Sequence, residues 1–368
     1  MIDNTTKSLI ALSITPYFSN ARFTKAKENN FDFNEIISSP TKYIKTLSLR
    51  QESIDFLDQR KYLEYLDKVY KWLDSSGKNQ IITYLDNSYP SGLKQISNPP
   101  LILYCSGNSN LLNSQQLAIV GARNHSSYGK NVAAKLCAEL KGLELSIISG
   151  LAYGIDTLAH RYAIDNNLNT IAVVGTGVDV VYPSSNKELY NKIINTNGLI
   201  VSEFPLGTGP LRYNFPQRNR IISGLSKGVV VVEAASKSGS LITAELALEQ
   251  NKEVFAIPGN IFSTTSQGCN ELIKQGAKLV CNINDILEEI DIISNTTQIS
   301  STDNQFNKII SLNESERIIL DSIGKELTTI DKIIIKSKLP YNQVTSILFE
   351  LELKSLIESI PGGYINIQ

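Results

Sequence analysis

The sequence predicts an α/β protein whose core is an extended Rossmann-like parallel sheet, with an N-terminal small helical domain and a C-terminal winged-helix-like domain. From Leu117 onward, short apolar runs end in glycine or small polar residues and alternate with helical segments. The first 75 or so residues show helical spacing without strand alternation. After residue 312, three helical segments precede a "PGG" turn flanked by β-prone pieces, which is the order of a winged helix.

Composition limits the classes of protein that this chain could represent. The 368 residues are 42% hydrophobic and 19% charged with a net charge of −1, which excludes a disordered chain and a basic polycation. Any nucleic-acid contact must therefore be a local patch. The four cysteines form no CxxC pair, which argues against a zinc site or a disulfide framework and favours a reducing cytoplasm. No run of 18 apolar residues occurs, so we expect a cytoplasmic protein without a membrane span. We also expect it to bind neither a metal nor a cofactor.

The changes of pattern divide the chain into four predicted segments. Residues 1–76 are a small helical domain of the SAM or HhH kind, with Phe56, Leu63, Leu66 and Leu73 near one stripe. Residues 77–290 form the Rossmann-like domain. The Ser-, Thr- and Asn-rich residues 291–312 are a linker, and residues 313–368 are the winged-helix-like domain.

The predicted sheet follows from six apolar runs, which are "LAIVG", "LSIISG", "TIAVVGTG", "GLIVSEFP", "GVVVVEAA" and "EVFAIPG". Continuous apolarity indicates parallel strands that are buried on both faces. Ligands of such folds bind at the carboxyl ends of the strands, where the glycine turns of this chain fall. The glycines expected to keep side chains out of this crevice are Gly121, Gly150, Gly154, Gly175 and Gly177. A plain strand-to-helix turn explains any one of them equally well, since the GxGxxG spacing is missing.

Polar and basic residues accompany these turns. Ser126 can cap the helix that follows Gly121, whose free N–H groups suit a phosphate, and Arg123 can bind phosphate oxygens bidentately. Two further stretches, "RYNFPQRNR" and "SKSGS", add a basic, aromatic rim that suits a single strand. Their candidate residues are Arg212, Phe215, Arg218, Asn219, Arg220, Lys237, Ser238, Gly239 and Ser240. Alternatively, Arg123 is a solvated side chain and Phe215 a hydrophobic staple on its own helix.

The stretch "FPQRNR" has an unusual charge pattern. Pro216 suits the first position of a helix, yet Arg218 and Arg220 then lie at the positive end of the helix dipole. We therefore predict a negative partner for these arginines, and the phosphates of a bound strand would supply it. Either arginine could instead brace the loop.

Residues that could support catalysis are few. His160 follows Asp156 by four residues, a spacing that predicts a local hydrogen bond and a structural role. Glu203 and Glu233 stand at strand ends, where we expect them to fix loops by accepting hydrogen bonds. No histidine or cysteine pairs with a nucleophile, so a catalytic triad is unsupported. From Asn313 on, the tail contains six basic and eight acidic residues. This balance favours a protein contact or a spacer over duplex binding.

The ordered motifs "VGARNHSSYG", "SGLAYGIDTLAH", "AVVGTGVDVVYPSSN", "SEFPLGTGPLRYNFPQRNRIISGLS" and "SQGCNELIKQGA" resemble the DNA-processing protein A family, also called DprA or Smf. The resemblance runs from Ile81 to Val280. It implies a non-enzymatic protein that binds and protects single-stranded DNA and loads the RecA recombinase during natural transformation or related recombination. It also implies a homodimer and places Arg123, Arg212, Phe215, Arg218 and Arg220 in the DNA pocket.

The chain departs from the family pattern at two places. "SITPYFSNARF" has no glycine where the family has a helical hairpin, and Ala122 replaces the usual threonine before Arg123. Two other functions compete with DNA binding. "SGSLITAE" is distantly similar to the signature of nucleotide-cleaving phosphoribohydrolases, with Glu245 as its carboxylate but without the paired glycines. A scaffold with a vestigial pocket is the third hypothesis.

Overall fold

The computed structural model describes residues 2–290, 313–324, 327–353 and 356–366. The linker predicted at residues 291–312 lies outside these described residues. The chain divides into two compact units, Met1–Asn295 and Thr296–Gln368.

The first unit begins with helices: α1 (Asn4–Ile14), α2 (Asn20–Glu28), α3 (Phe33–Ser38), α4 (Ile44–Leu47), α5 (Gln51–Asp58) and α6 (Tyr62–Ser75). Acidic residues cap two of them. The Asp3 side chain accepts a 2.9 Å hydrogen bond from the Thr6 N–H, and Asp32 caps α3 in the same way. Of the predicted apolar stripe, Leu66 is buried while Leu63 is 47% exposed, so the stripe is narrower than its spacing suggested.

A nine-stranded sheet follows: β1 (Asn79–Thr83), β2 (Ile102–Gly107), β3 (Gln116–Val120), β4 (Ser146–Ser149), β5 (Asn169–Val173), β6 (Leu199–Ser202), β7 (Gly228–Val231), β8 (Glu253–Ala256) and β9 (Lys278–Leu279). Its order is β1-β2-β6-β5-β4-β3-β7-β8-β9. The strands β3 to β8 coincide with the six predicted runs and pair in parallel, which confirms the fold class. The strands β1 and β2 extend it in antiparallel pairing.

Helices cover both faces of the sheet: α7 (Ser91–Lys94), α8 (Ser127–Glu139), α9 (Ile155–Asp165), α10 (Lys187–Asn195), α11 (Asn214–Leu225), α12 (Gly239–Glu249), α13 (Gln267–Lys274) and α14 (Asn284–Leu287). Successive side chains of β3 point to opposite faces of the sheet and so show which helices cover each face. Leu117 and Ile119 pack with α8 and α9, whereas Ala118 and Val120 pack with α11 and α12. The strand order reverses at β3, so β3 and β7 form the switch point where such sheets bind ligands.

The N-terminal helices and the sheet share one hydrophobic core. Leu9 of α1 and Tyr104 of β2 are both fully buried in the same cluster. The Tyr65 hydroxyl of α6 donates a 3.0 Å hydrogen bond to the Tyr104 hydroxyl and accepts one from the Leu206 N–H at 2.8 Å. The ring of Trp72 packs edge-on against Tyr104 at 6.1 Å. A separate domain ending at residue 76 stays a prediction.

The second unit contains α15 (Glu314–Ser322), α16 (Ile330–Ser337), α17 (Tyr341–Leu353) and the antiparallel pair β10 (Ile357–Ile360) and β11 (Gly363–Asn366). Asn313 and Glu316 form a capping box at the start of α15. Ile319, Ile333, Val344 and Leu348 fill its core. Three helices followed by a β-hairpin are the winged-helix order that the sequence predicted. Within the described ranges, none of the helices has the length and apolarity to cross a membrane.

Replacing Leu9 by alanine should destabilise the sheet together with the helices. Leu9 has no exposed surface, so the Leu9→Ala cavity should lower the free energy of unfolding by about 2–5 kcal/mol. Urea unfolding followed by the fluorescence of Trp72, the single tryptophan, and by circular dichroism checks this. Leu63→Ala, at an exposed site, should change it by less than about 0.5 kcal/mol. Separate transitions for the two signals would contradict a shared core.

Candidate nucleic-acid interface

A crevice of about 900 Å³ opens at the carboxyl edge of the sheet, at the switch point between β3 and β7. Its walls consist mainly of the turn after β3, the turn that leads from β7 into α12, and the beginning of α11, with further residues from the segments after β4, β5 and β8. Charged residues among those that border it are three arginines and one aspartate, namely Arg123, Arg212, Arg218 and Asp156. The crevice is therefore locally positive in a chain whose net charge is −1.

The helix α11 begins earlier than its sequence suggested. It starts at Asn214, so Pro216 is its third residue and not its first. The missing N–H of Pro216 still falls among the first four helical N–H groups, which have no partner within a helix. The buried Asn214 amide donates a 3.1 Å hydrogen bond to the Gly175 carbonyl and fixes the start of α11 against the turn after β5.

Arg218 is buried inside the wall of the crevice. Only 4% of its surface is exposed, and its guanidinium donates hydrogen bonds to the carbonyls of Gly150, at 2.7 Å, and of Val173. Burial lowers the pKa of Arg218 to about 10, against the attraction of Asp156. The Asp156 carboxylate also accepts a 3.1 Å hydrogen bond from the Gly150 N–H. Arg218 thus braces two strand ends, and its charge is already engaged by the protein.

Arg220 lies outside the crevice, contrary to the prediction. It is 8% exposed and its guanidinium forms a buried ion pair with Glu203. Burial raises the pKa of Glu203, and the charge of Arg220 opposes this. The pair ties α11 to the loop after β6. The sequence left two roles open for these arginines, a phosphate contact or a brace for the loop. Arg220 is a brace for the loop.

Five of the predicted glycines make room for the protein itself rather than for a ligand; at Gly121, a Cβ atom would lie 2.7 Å from the Ile155 side chain. A Cβ atom on Gly150 would lie 2.5 Å from the Arg218 guanidinium, and one on Gly175 would lie 2.9 Å from the ring of Phe215. Gly154 has a φ of +80°, and a Cβ there would collide with the Ala122 carbonyl at 2.2 Å. Gly177 similarly abuts the Pro205 carbonyl. Among the predicted glycines, Gly121 and Gly239 border the crevice.

The predicted phosphate cradle at the start of α8 is filled by a carboxylate of the protein. Ser126 caps α8, as expected, by accepting a hydrogen bond from the Gly129 N–H at 3.1 Å. Its own N–H donates to Glu233 at 2.9 Å, and its hydroxyl donates to the same carboxylate at 2.5 Å. Glu233 is 2% exposed, so it neutralises this helix end from inside. The expectation that Glu203 and Glu233 fix loops is confirmed.

The start of α12 remains open to the crevice. Ser238 caps this helix through the Ser240 N–H, and a Cβ on Gly239 would meet nothing within 4 Å. Ser238, Gly239 and Ser240 all border the crevice, as does Asn219, whose amide donates to the Gly239 carbonyl at 3.5 Å. Lys237 is exposed but does not border the crevice.

Two exposed arginines and an aromatic pair face the crevice. Arg123 and Arg212 are exposed, and neither forms a salt bridge within the described part of the chain. Phe215 lies against Tyr182, with ring centroids 5.6 Å apart and planes inclined by 45°. Tyr182 is a crevice residue that the sequence patterns did not predict. An aromatic residue before a proline, just after a glycine turn, was the signal that could have found it.

His160 has a structural role, but with a different partner from the predicted Asp156. The Nδ1 atom of His160 lies 2.7 Å from the Thr170 hydroxyl, and its Nε2 atom has no partner among the described residues. The ring is fully buried, and burial lowers its pKa to about 3, with the nearby charge of Arg218 adding to the effect. The imidazole is therefore neutral in the folded protein.

A Rossmann-like sheet with a basic, aromatic-edged crevice at its switch point, followed in the chain by a winged helix, defines the class of two-part α/β protein to which this chain belongs. The sequence model of the family described as DNA recombination-mediator protein A matches residues 80–291. The DprA winged helix domain matches residues 308–363. The chain belongs to the DNA recombination-mediator protein A family, as its motifs had indicated.

Relatives and solved structures agree with this assignment. Protein Smf of Escherichia coli is 38% identical over 334 residues, which are 89% of this chain and 88% of the relative. DNA processing protein DprA of Streptococcus pneumoniae is 48% identical over 56% of this chain and 73% of the relative. Its X-ray structure superposes with a TM-score of 0.67 at 37% identity, over 79% of this chain and 99% of the other.

A second solved structure is that of DNA processing protein A of Helicobacter pylori, which was described for its single-stranded DNA binding mode. It superposes with a TM-score of 0.52 at 34% identity and covers 57% of this chain and 94% of its own.

Acid should weaken the fold through His160. Its pKa is about 3 when folded and about 6.5 when unfolded, so below pH 6.5 the unfolded chain takes up a proton that the folded protein does not. Stability is full above pH 6.5 and falls by about 1.4 kcal/mol per pH unit below it. In urea unfolding, wild type should lose about 2 kcal/mol more than His160→Asn between pH 7 and pH 5. His125→Asn, at the exposed histidine, should behave as wild type; equal losses in all three proteins would refute the assignment.

Proposed function

We propose that the protein binds single-stranded DNA in the crevice and acts in DNA recombination without catalysing a chemical step. The observation that carries this proposal is the exposed, unpaired arginines Arg123 and Arg212 in one crevice with the aromatic pair Tyr182 and Phe215. Arginines contact the sugar-phosphate backbone, and aromatic rings stack on bases of any sequence. The DNA-binding relative from Helicobacter pylori, which is similar over most of its length, supports this function.

The residues of the crevice divide the work of binding. Arg123 and Arg212 contact phosphates, and Phe215 stacks a base with Tyr182 behind it. The open N-terminus of α12 offers the Gly239 N–H to a further phosphate, while the Ser240 N–H is held by the Ser238 hydroxyl. Arg218 is charged beside this surface, but its hydrogen bonds to main-chain carbonyls leave it the role of a brace.

The carboxylates of this region do not favour the phosphoribohydrolase alternative. Glu245 is exposed on α12 and does not border the crevice. Glu203 and Glu233 are engaged with Arg220 and Ser126. Asp156 is the carboxylate that borders the described crevice, and it lies against Arg218. A hydrolase of this kind needs a free carboxylate at its reacting centre.

Two finer functions belong to the same proposal. We infer that a homodimer of this cytoplasmic protein delivers the bound strand to the RecA recombinase, as family membership suggests. Light scattering of the full chain tests the dimer. Co-purification of RecA with the protein, in the presence and absence of oligo-dT, tests the partner, and failure to retain RecA in both conditions would refute that part.

Removing the exposed arginines should weaken binding of a single strand. Arg123→Ala and Arg212→Ala should each raise the Kd for oligo-dT about tenfold, because each loses a charged contact of about 1.5 kcal/mol or more. Each should also reduce the slope of log K against log salt by about 0.7. Fluorescence anisotropy at two salt concentrations measures both quantities. Arg161→Ala, which removes an exposed arginine of α9 outside the crevice, is the matched control and should bind as wild type.

The same titrations separate the alternatives. Equal loss in Arg161→Ala would mean that binding depends on overall charge and not on the crevice. If wild type does not bind oligo-dT but releases a base from nucleoside monophosphates, the hydrolase is correct. If it does neither, the crevice is vestigial.

A further inference from the structure

The loop between β8 and α13 presents two adjacent apolar side chains to solvent. Ile261 is 75% exposed and Phe262 is 89% exposed, which makes Phe262 the most exposed of the large hydrophobic residues in the described chain. Both follow the turn "PGN" and precede polar residues. Two adjacent large apolar side chains in water form a small exposed patch, which is the kind of surface that a binding partner can cover.

This loop is a built turn. The Asn260 side-chain oxygen accepts a 2.9 Å hydrogen bond from the Phe262 N–H. The main-chain carbonyl of Asn260 accepts another from the Ser263 N–H, also at 2.9 Å. The Asn270 side chain binds both the N–H and the carbonyl of Gly259, at 3.2 and 3.1 Å. The Tyr128 hydroxyl donates to the Pro258 carbonyl at 2.7 Å. The loop therefore holds Phe262 outward before any ligand arrives.

The loop adjoins the crevice. It leaves the carboxyl end of β8, which pairs with β7, and β7 leads into one wall of the crevice. Thr265, three residues after Phe262, borders the crevice itself. The Ser236 hydroxyl donates a 3.1 Å hydrogen bond to the Gln267 side chain and so joins this loop to the turn after β7.

Lys237 follows Ser236, the donor of this hydrogen bond, directly in the chain. It is exposed, forms no salt bridge within the described residues, and does not border the crevice. Lys237 and Phe262 add an exposed cation and an exposed aromatic ring near this end of the sheet, much as Arg212 and Phe215 place a cation and an aromatic ring at the crevice. Cation and aromatic ring together are the elements that hold a single strand.

We propose that a bound single strand continues out of the crevice across Thr265 onto a second platform, where Phe262 stacks a base and Lys237 contacts a phosphate. This inference rests on the proposed function. Tyr182 follows β5 and Phe262 follows β8. These two strands are four positions apart in the sheet, or about 19 Å at about 4.8 Å per strand, and the proposed path of the DNA strand covers that distance. About six stacked nucleotides at about 3.4 Å each cover that distance.

Oligonucleotides of two lengths test the second platform. For labelled oligo-dT of about 20 nucleotides, Phe262→Ala should raise the Kd about fivefold or more, the effect of losing one stacked base. Lys237→Ala should raise the Kd and lower the salt slope by about 0.7. Phe262→Trp should bind as wild type, and its added tryptophan fluorescence should be quenched by the strand. With dT4, which is too short to reach both platforms, Phe262→Ala and wild type should bind alike.

Controls make the outcomes distinguishable. Phe349→Ala removes an exposed phenylalanine of the second unit, 63% exposed, and should not change binding. If Arg123→Ala weakens binding while Phe262→Ala and Lys237→Ala do not, the second platform is wrong and the crevice stands. If none of these variants weakens binding, the proposed function itself fails. If Phe262→Ala changes the mass in light scattering and the loss of binding follows that change, Phe262 belongs to an interface between copies, which overturns the platform.

Discussion

The buried guanidinium of Arg218 is the contact on which the crevice depends. It joins the first turns of α11 to the ends of β4 and β5 through the carbonyls of Gly150 and Val173, with Asp156 supplying the opposite charge. Removing a charge from water is expensive unless the charge is compensated, and Arg218 has hydrogen bonds to two main-chain carbonyls and the attraction of Asp156 to compensate it. Because Arg212 and Phe215 lie just before Arg218 in the chain, this brace also sets the wall that they form.

Internal carboxylates decide which helix end is available to a ligand. Glu233 occupies the N-terminus of α8 through Ser126, so the positive end of that helix is already neutralised. The N-terminus of α12 has only the hydroxyls of Ser238 and Ser240, which carry no charge, and open space at Gly239. The two helices lie on opposite faces of the sheet, at neighbouring strands. The crevice is thus polarised, and a phosphate is favoured at the α12 side.

The sequence predicted the six parallel strands because each is covered by helices on both faces and is therefore continuously apolar. It did not predict which arginines are exposed at the crevice and which are buried. Arg218 and Arg220 are two residues apart on a helix, about 200° around its axis, so they point to different surroundings. One points to β4 and β5, and the other points to Glu203. Their partners come from strands distant in sequence, and the phase of α11 depends on Asn214 binding Gly175, which no local pattern encodes. Arg123 and Arg212 were recognisable because exposed loop positions need no such partner.

The charge balance of the crevice links its stability to its occupancy. Arg123 and Arg218 both border the crevice, the positive charge of Arg123 adds to the lowering of the pKa of Arg218, and Asp156 is the carboxylate that borders the crevice among the described residues. Under the proposed function, a phosphate near Arg123 would supply a second negative charge beside the two arginines. Such a strand would contribute more than its direct contacts, because any ligand that binds only the folded state stabilises that state. Arg218 and Arg123 therefore have complementary roles. The buried charge of Arg218 fixes the wall of the crevice, and the exposed charge of Arg123 favours an anion there.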